Sequence, residues 1–300
     1  PTDGPTVLKA LASTDWGNTT EDMLLTYKSL AGSVIDYAAP VFSPNLKPTH
    51  VKKLQVMQNN CLRVVTGCHL AASSEHLHRE TLSLPVEDHL QLLSRQFLAG
   101  ALQERHPSFS TVLAPSGPRP LRHTLSSKHL PAVAPFLRSG VLPPASRADV
   151  IKDLHTAAVA VAINKLDSKA NPVLNARPPP IDGSEVALPR PWRATLSQLR
   201  SGYCKFLNSF RAVLDQQTQD VCPGCNSPGH SVVHLFECAS YPTTLYKIDL
   251  WCNPLHAAYF LSRLPFFSSL TSVIYPEYPH KTSPNKETFL PTTPPTTKTT

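Results

Sequence analysis

Glycine is scarce in this chain of 300 residues, which has 11 glycines against 31 prolines. Proline is about twice as frequent as its usual share of about 5%, and each proline removes a backbone donor and is excluded from helix interiors and central strands. The composition therefore excludes collagen and disfavours one compact globule. Apolar runs long enough for a membrane, about 18 residues, are also missing, and the most apolar stretch covers only residues 157–163. We expect no membrane span, and islands of structure joined by extended segments.

Several functional signatures are absent as well. The chain contains no P-loop, no G-x-G-x-x-G and no G-x-S-x-G, so it carries no nucleotide-binding fingerprint and no nucleophile elbow. It begins at Pro1 without an initiating Met and without a readable signal peptide, and we expect it to be a fragment of an intracellular protein, with the nucleus and the cytoplasm both open.

The charge balance is basic. Lys and Arg number 28 against 21 Asp and Glu, which gives a net charge of +7 and a pI near 9.1. Such a balance favours polyanionic partners, with nucleic acid or an anionic surface as the modest expectation.

Apolar residues recur at intervals of three and four over the first 106 residues, which predicts a small all-helical unit. One helix is predicted to be capped by Thr20 or Asp22 and to be ended by Pro40 and Pro44. A second covers residues 49–66 with Gly67 as its C-terminal cap, and two more begin near Ser73 or Ser74 and at Pro85. The inward face of the helix over 49–66 is predicted to consist of Val51, Leu54, Val56, Met57, Cys61, Leu62 and Val65.

The rest of the chain is predicted to alternate between extended and folded parts. Residues 107–190 read as a Pro-rich, solvated linker interrupted by one amphipathic helix over 147–168. Residues 191–264 read as a helix from Trp192 to about Leu214, a metal-like cluster, and a short aromatic-rich helix. Residues 265–300 read as a mostly disordered tail, because its Pro, Thr and Lys cannot bury enough apolar surface. The predicted fold class is mainly α.

One cluster carries metal chemistry. Cys222, Cys225, His234 and Cys238 follow the pattern C-x2-C-x8-H-x3-C within seventeen consecutive residues. Two close pairs of soft or borderline ligands suit tetrahedral Zn2+, and four protein ligands leave no open position for water, so the predicted zinc is structural rather than hydrolytic. His230 is the alternative to His234, with a less comfortable spacing.

The remaining cysteines and one histidine group have plainer interpretations. Seven cysteines without a secretory signal indicate reduced thiols or metal ligands, and those outside the cluster are predicted to be buried free thiols: Cys61, Cys68, Cys204 and Cys252. A second group, His69, His76 and His78, is interpreted as part of a partly exposed helix terminus, with metal or phosphate binding as the alternative.

The order of several local strings resembles a known family. They lie at residues 33–42 (SVIDYAAPVF), 54–67 (LQVMQNNCLRVVTG), 76–86 (HLHRETLSLPV) and 199–204 (LRSGYC), followed by the Cys/His cluster and by Leu250-Trp251. Together they are similar to the region after the polymerase core in non-LTR (LINE-type, jockey-like) retrotransposon reverse transcriptases. The family string is usually Tyr-Gly-Ala-Pro-Val-Trp, so Ala38 and Phe42 are conservative departures.

This resemblance implies the C-terminal fragment of an RNA-directed DNA polymerase, with the first helical unit corresponding to the thumb. The catalytic core, which in this family uses a paired-Asp box and two Mg2+ ions, is not in these residues, since no Asp-Asp dipeptide occurs. The resemblance therefore implies that this fragment alone has no polymerase activity, that its Mg2+ belongs to the missing upstream polymerase core, and that its partners are that core, the element RNA and the target DNA.

Basic residues near the helices are the tentative nucleic-acid contacts. They are Lys52, Lys53, Arg63, Arg193, Arg200, Lys205 and Arg211. Aromatic residues close to them could stack on bases or simply pack: Tyr203, Phe206, Phe210 and Trp251. Two readings remain open. One is the enzyme of an intact element, whose upstream sequence would encode the polymerase core; the other is a decayed or host-adopted remnant that acts as a zinc-dependent interaction module.

Overall fold

The computed structural model describes residues 4–12, 18–102, 107, 125–137, 147–166 and 169–270. These residues are mainly helical, and among them only two isolated antiparallel bridges occur in place of strands. The mainly α fold class is therefore confirmed. The described helices include none that is both long and apolar enough to cross a membrane. Of the tail predicted over 265–300, residues 271–300 lie outside the described residues.

The N-terminal half is built of short and long helices. Their bounds are α1 (Gly4–Leu11), α2 (Thr20–Tyr27), α3 (Ser33–Asp36), α4 (Ala39–Phe42), α5 (Pro48–Thr66), α6 (Ser74–Thr81) and α7 (Val86–Ala101). A π-helical turn over Lys28–Gly32 joins α2 to α3.

Local capping signals account for most of these bounds. Gly67 ends α5 with φ of 72°, and the hydroxyl of Ser73 accepts a hydrogen bond from the His76 N–H at 3.2 Å. Both caps are those predicted. Helix α2 differs, because Thr19, rather than Thr20 or Asp22, caps it by accepting from the Asp22 N–H at 3.1 Å.

Packing of α1, α2, α5 and α6 forms the N-terminal core, with Met23, Cys61 and Leu62 fully buried. Val56, predicted to face inward, is 58% exposed. The prediction of an inward side chain is therefore wrong for Val56, which lies at the edge of the apolar face of α5.

The Pro-rich segment contains a helix that the sequence pattern did not predict. Helix α8 (Leu125–Leu137) includes Pro131 and Pro135, and Val133 is fully buried between α7 and α9 (Arg147–Leu166). The prediction of extended, solvated chain is therefore wrong over these residues. Burial of the α8 face stabilises a helix that its two prolines disfavour.

The C-terminal half packs around Trp192, Leu196 and Leu199. Its helices are α10 (Arg190–Ser201), α11 (Asn208–Leu214), α12 (Val232–Glu237), α13 (Asp249–Cys252) and α14 (Pro254–Ser262). The helix predicted over 192–214 is broken at Gly202, whose φ is 82°. The tail was predicted from 265, but Pro265–Leu270 forms a 3-10 turn whose Phe267 is fully buried in this core.

Helix α10 joins the two halves. The Gln198 side chain donates to the Gly67 carbonyl at 2.8 Å, and the Ser197 hydroxyl lies 3.1 Å from the Cys68 sulfur. The approach is close enough that a Cβ at Gly67 would lie 2.7 Å from the Ala194 Cβ. The metal cluster is thus attached to a core that continues into the N-terminal helices.

Candidate metal centre

The first ligand pair lies in a tight hairpin. The Asn226 N–H donates to the Cys222 carbonyl at 2.9 Å, and the Cys222 N–H donates to the Ser227 carbonyl at 2.9 Å. Gly224 faces Tyr241 so closely that a Cβ would lie 2.5 Å from a ring carbon. A larger residue at this point would require the Tyr241 ring to move, and the turn brings Cys222 and Cys225 together.

The second ligand pair is positioned by a short helix. Ser231 caps α12 by accepting from the His234 N–H at 3.4 Å, and Cys238 follows the last helical residue. His234 and Cys238 are four residues apart, so one turn of helix points both side chains in the same direction. Val232 and Leu235, on the other face of α12, are buried in the C-terminal core.

The four side chains converge. The ligand atoms of Cys222, Cys225, His234 and Cys238 all lie within 4.8 Å of one another. The sulfurs of Cys222 and Cys238 are 3.8 Å apart, and the Cys225 sulfur is 3.2 Å from His234 Nε2. Zn–S bonds of about 2.3 Å in a tetrahedron place sulfurs about 3.8 Å apart, so the donor set and its spacing fit a zinc ion. The cluster can therefore hold a metal ion.

The protein environment shifts the pKa values of two of the cluster's thiols in opposite directions. Hydrogen bonds from the Ser227 hydroxyl and backbone lower the pKa of the Cys225 thiol to about 6, which favours the thiolate that binds metal. Burial raises the pKa of Cys238. A bound cation would stabilise the thiolate form at both positions.

His230, the alternative ligand, lies outside this cluster. Its Nδ1 accepts a hydrogen bond from the Asn208 N–H at 3.1 Å, and its ring packs on Phe266 at a centroid distance of 4.9 Å. The side chain of Asn208 in turn donates to the Val221 carbonyl at 2.8 Å. His230 therefore joins the ligand hairpin to the start of α11. The sequence predicts His230 as a possible metal ligand, but its structural role depends on the contact with Asn208, which lies 22 residues away along the chain.

The prediction that Arg200 contacts nucleic acid is wrong. Its side chain is fully buried, with Nη1 3.1 Å from Glu80 and 3.2 Å from Glu185, while Nε donates to the Leu250 carbonyl at 2.9 Å. Nη2 makes a further hydrogen bond to Glu185. A phosphate cannot reach this guanidinium. Arg200 is a structural residue that links α6 to the C-terminal core.

Arg193 and Arg63 are also engaged within the protein. Arg193 makes a bidentate ion pair with Glu21 at 2.5 and 2.6 Å, which lowers the pKa of that carboxyl. Arg63 donates to the Ala72 carbonyl at 3.2 Å and to Asn60 at 3.3 Å. Arg190 was not predicted, and it donates to the carbonyls of Asn18 and Val64 across the interface of the two halves.

The other four predicted cations face solvent. Lys52 and Lys53 lie on the exposed side of α5. Lys205 lies just before α11, and Arg211 lies on it. Lys205 Nζ sits 5.0 Å from the centroid of the Phe206 ring. Helix α11, which carries Arg211 and follows Lys205, contacts the hairpin through Asn208, whereas Lys52 and Lys53 lie in the N-terminal half.

The aromatic and sulfur-containing residues divide between core and surface. Trp251 and Phe210 are buried, whereas Tyr203 is 36% exposed. Cys61, Cys68 and Cys204 are buried free thiols as predicted, but Cys252 is exposed at the end of α13, because that helix is only one turn long.

The histidine group after Gly67 is mostly internal. His76 and His78 are buried, and His76 Nε2 lies 3.3 Å from the Ser197 hydroxyl. The prediction of a partly exposed helix terminus is therefore wrong for these two, since α6 packs on α5 and near α10.

The fold and site together define a mainly helical protein with one Cys3His cluster among its described residues. Comparison with known proteins adds no name to this description: no family model, no curated protein and no solved structure matches the chain.

Proposed function

We propose that this chain is the C-terminal part of a non-LTR retrotransposon RNA-directed DNA polymerase. In this proposal a helical, thumb-like region and a CCHC zinc module hold the template, primer or element RNA, and the catalytic core lies elsewhere in the parent protein. The observation that carries the proposal is the four-ligand cluster, which follows the string of residues 199–204 in the order expected for this family.

Zinc supplies folding chemistry in this proposal. Cys222, Cys225, His234 and Cys238 would hold a Zn2+ ion and so connect the hairpin to α12. A site of four protein ligands has no position for a reacting water, so the ion would be structural. The contact of His230 with Asn208 then fixes the start of α11 against the hairpin.

Exposed cations support nucleic-acid holding. Lys205 and Arg211 are exposed, and the Tyr203 ring is partly exposed; the helix that carries Arg211, α11, contacts the hairpin through Asn208. Lys52 and Lys53 supply positive charge on α5. Contacts between such residues and phosphates release counterions, so binding by this surface must weaken steeply as salt is added.

The first experiment measures zinc content and nucleic-acid binding together on the full chain. We expect one equivalent of Zn2+, its loss in a Cys222→Ser, Cys225→Ser variant, and RNA and DNA binding that falls at least tenfold between 50 and 200 mM salt, roughly as two or more phosphate contacts require. Cys252→Ser is the matched control, since this exposed thiol lies outside the cluster. Binding that does not change with salt would contradict the proposal.

The alternative is a decayed or host-adopted remnant that works as a zinc-dependent interaction module without an enzymatic role. The pairing of Arg193 and Arg200 favours it, because Arg200 is withdrawn into the core and the Arg193 charge is already neutralised by Glu21. Zinc-dependent folding without nucleic-acid binding would support this alternative. Upstream genomic sequence that encodes a paired-Asp polymerase core in frame would support the intact element.

A further inference from the structure

An open cleft of about 400 Å3 lies beside α12, on residues that the metal cluster does not use. Its apolar lining comes chiefly from Leu174, Phe236 and Ile248, and Phe236 is held against Phe260 of α14 at a centroid distance of 5.9 Å. The floor is thus part of the folded core, and it depends on the helix that also carries His234.

The rim of the cleft is aromatic and charged. Tyr246 lines the cleft and is 73% exposed, so its ring is accessible to a ligand. Arg177 and Lys247 contribute two positive charges and Glu237 one negative charge. The rim therefore carries a net positive charge on a chain whose overall charge is +7.

We infer that this cleft binds one unstacked base of a single-stranded nucleic acid. The inference rests on the proposed function and gives it a specific site. Tyr246 offers a stacking face, the apolar floor receives the base, and the cations at Arg177 and Lys247 complement the flanking phosphates. The Glu237 carboxylate can accept a hydrogen bond from an N–H group of the base, which every base has, including N3–H of thymine.

A single strand fits this arrangement better than a duplex. Bases inside a duplex are stacked on both faces, and only an unpaired base can present a face to Tyr246 and enter a cleft. Stacking is tolerant of sequence, because every base has a π-face. The cleft is therefore expected to prefer single strands without strong sequence selectivity.

The test measures binding of a fluorescent 12-nucleotide oligo-dT to the full, zinc-loaded chain by anisotropy. We expect Tyr246→Ala to weaken binding roughly 5- to 100-fold, and Tyr246→Phe, which keeps the ring, to stay within about threefold of the wild type. Tyr259→Ala is the matched control, since Tyr259 is 54% exposed on α14 and outside the cleft lining. Zinc content and circular dichroism establish that the variants are folded.

Three results would overturn the inference in different ways. If Tyr246→Ala binds as tightly as the wild type while salt-dependent binding persists, the cleft is not the base site and the proposed function stands. If the wild type binds no oligonucleotide even at 50 mM salt, the proposed function fails together with the inference. An acidic, Phe-containing peptide that binds in place of oligo-dT, with loss in Tyr246→Ala, would assign the cleft to a protein partner instead.

Discussion

Arg200 places a full positive charge in the core, where it faces two carboxylates. Burial of such a charge is tolerated only because Glu80, Glu185 and the Leu250 carbonyl satisfy the guanidinium. The sequence shows Arg200 on a helix with other basic residues, and its partners lie 120 and 15 residues away. Helical periodicity carries no information on those distances, so the sequence could not distinguish this side chain from a surface cation.

Replacement of Arg200 by Met is expected to destabilise the protein strongly. Two buried carboxylates then lose their cation, which costs about 3–5 kcal/mol in the free energy of unfolding. Urea denaturation monitored by circular dichroism measures the change. Arg211→Met, at an exposed position of α11, is expected to change stability by no more than about 0.5 kcal/mol. A variant at Arg200 as stable as the wild type would disprove a structural role for the ion pairs.

His129 makes stability depend on pH. Burial lowers the pKa of His129 from its ordinary 6.5 to about 4, so the unfolded chain binds more protons than the folded chain between these values. Stability is therefore lost as the pH falls from 6.5 towards 4. His129→Leu is expected to reduce that loss by about 1–2 kcal/mol in urea titrations at pH 7, 6 and 5. Equal losses in His129→Leu and in the exposed control His155→Leu would refute the assignment.

At the scale of helices, local signals were sufficient where the cap lies in the adjacent sequence. Gly67 and Ser73 were identified correctly, since a glycine after an apolar stripe and a serine before one determine helix ends through their own backbone and hydroxyl. The break at Gly202 was missed because apolar spacing continues from Trp192 to Phe210 on both sides of it. Helix α8 was missed because Pro131 and Pro135 argue against it locally, and only tertiary burial of Val133 reverses that preference.

Three glycines are expected to differ in their tolerance of alanine. Gly183 has no atom within 4 Å of an added Cβ, Gly202 is left-handed with ordinary contacts, and Gly67 is left-handed and would meet Ala194 at 2.7 Å. We expect alanine to cost nothing measurable at Gly183, about 1 kcal/mol at Gly202 and about 2–4 kcal/mol at Gly67. Thermal melts of the three variants give the order. An equal cost at Gly67 and Gly202 would show that α5 and α10 can separate at no cost.

At the scale of the whole molecule, the two halves are more closely connected than the composition suggested. The Cys/His cluster could be identified from sequence because its four residues lie within seventeen positions of one another, so no long-range contact was needed. The contacts that α10 makes with α5 and α6 span more than one hundred residues, and the Pro-rich segment between them looks like a spacer. A chain with many prolines therefore still packs its described helices together.

For the proposed zinc-bound form, removal of the ion is expected to weaken the N-terminal helices as well as the residues around the Cys/His cluster. Chelation frees the hairpin and α12, and the C-terminal core that loses them also holds α10 against α5. Hydrogen exchange with and without a chelator measures the effect, and we expect amides of α5 to lose at least tenfold in protection. Loss confined to residues 220–262, with α5 unchanged, would mean that the halves unfold independently.

The buried ion pairs of Arg200 also bear on how this protein can change over evolutionary time. If Arg200 alone is replaced, Glu80 and Glu185 are left buried without a cation; if both glutamates are replaced, Arg200 is left buried without an anion. Each change lowers the stability of the protein. Single replacements at these three positions should therefore be rare among natural relatives, whereas simultaneous replacement of all three by apolar residues should be tolerated. In an aligned set of such sequences, positions 80, 185 and 200 should vary together, although they lie far apart along the chain.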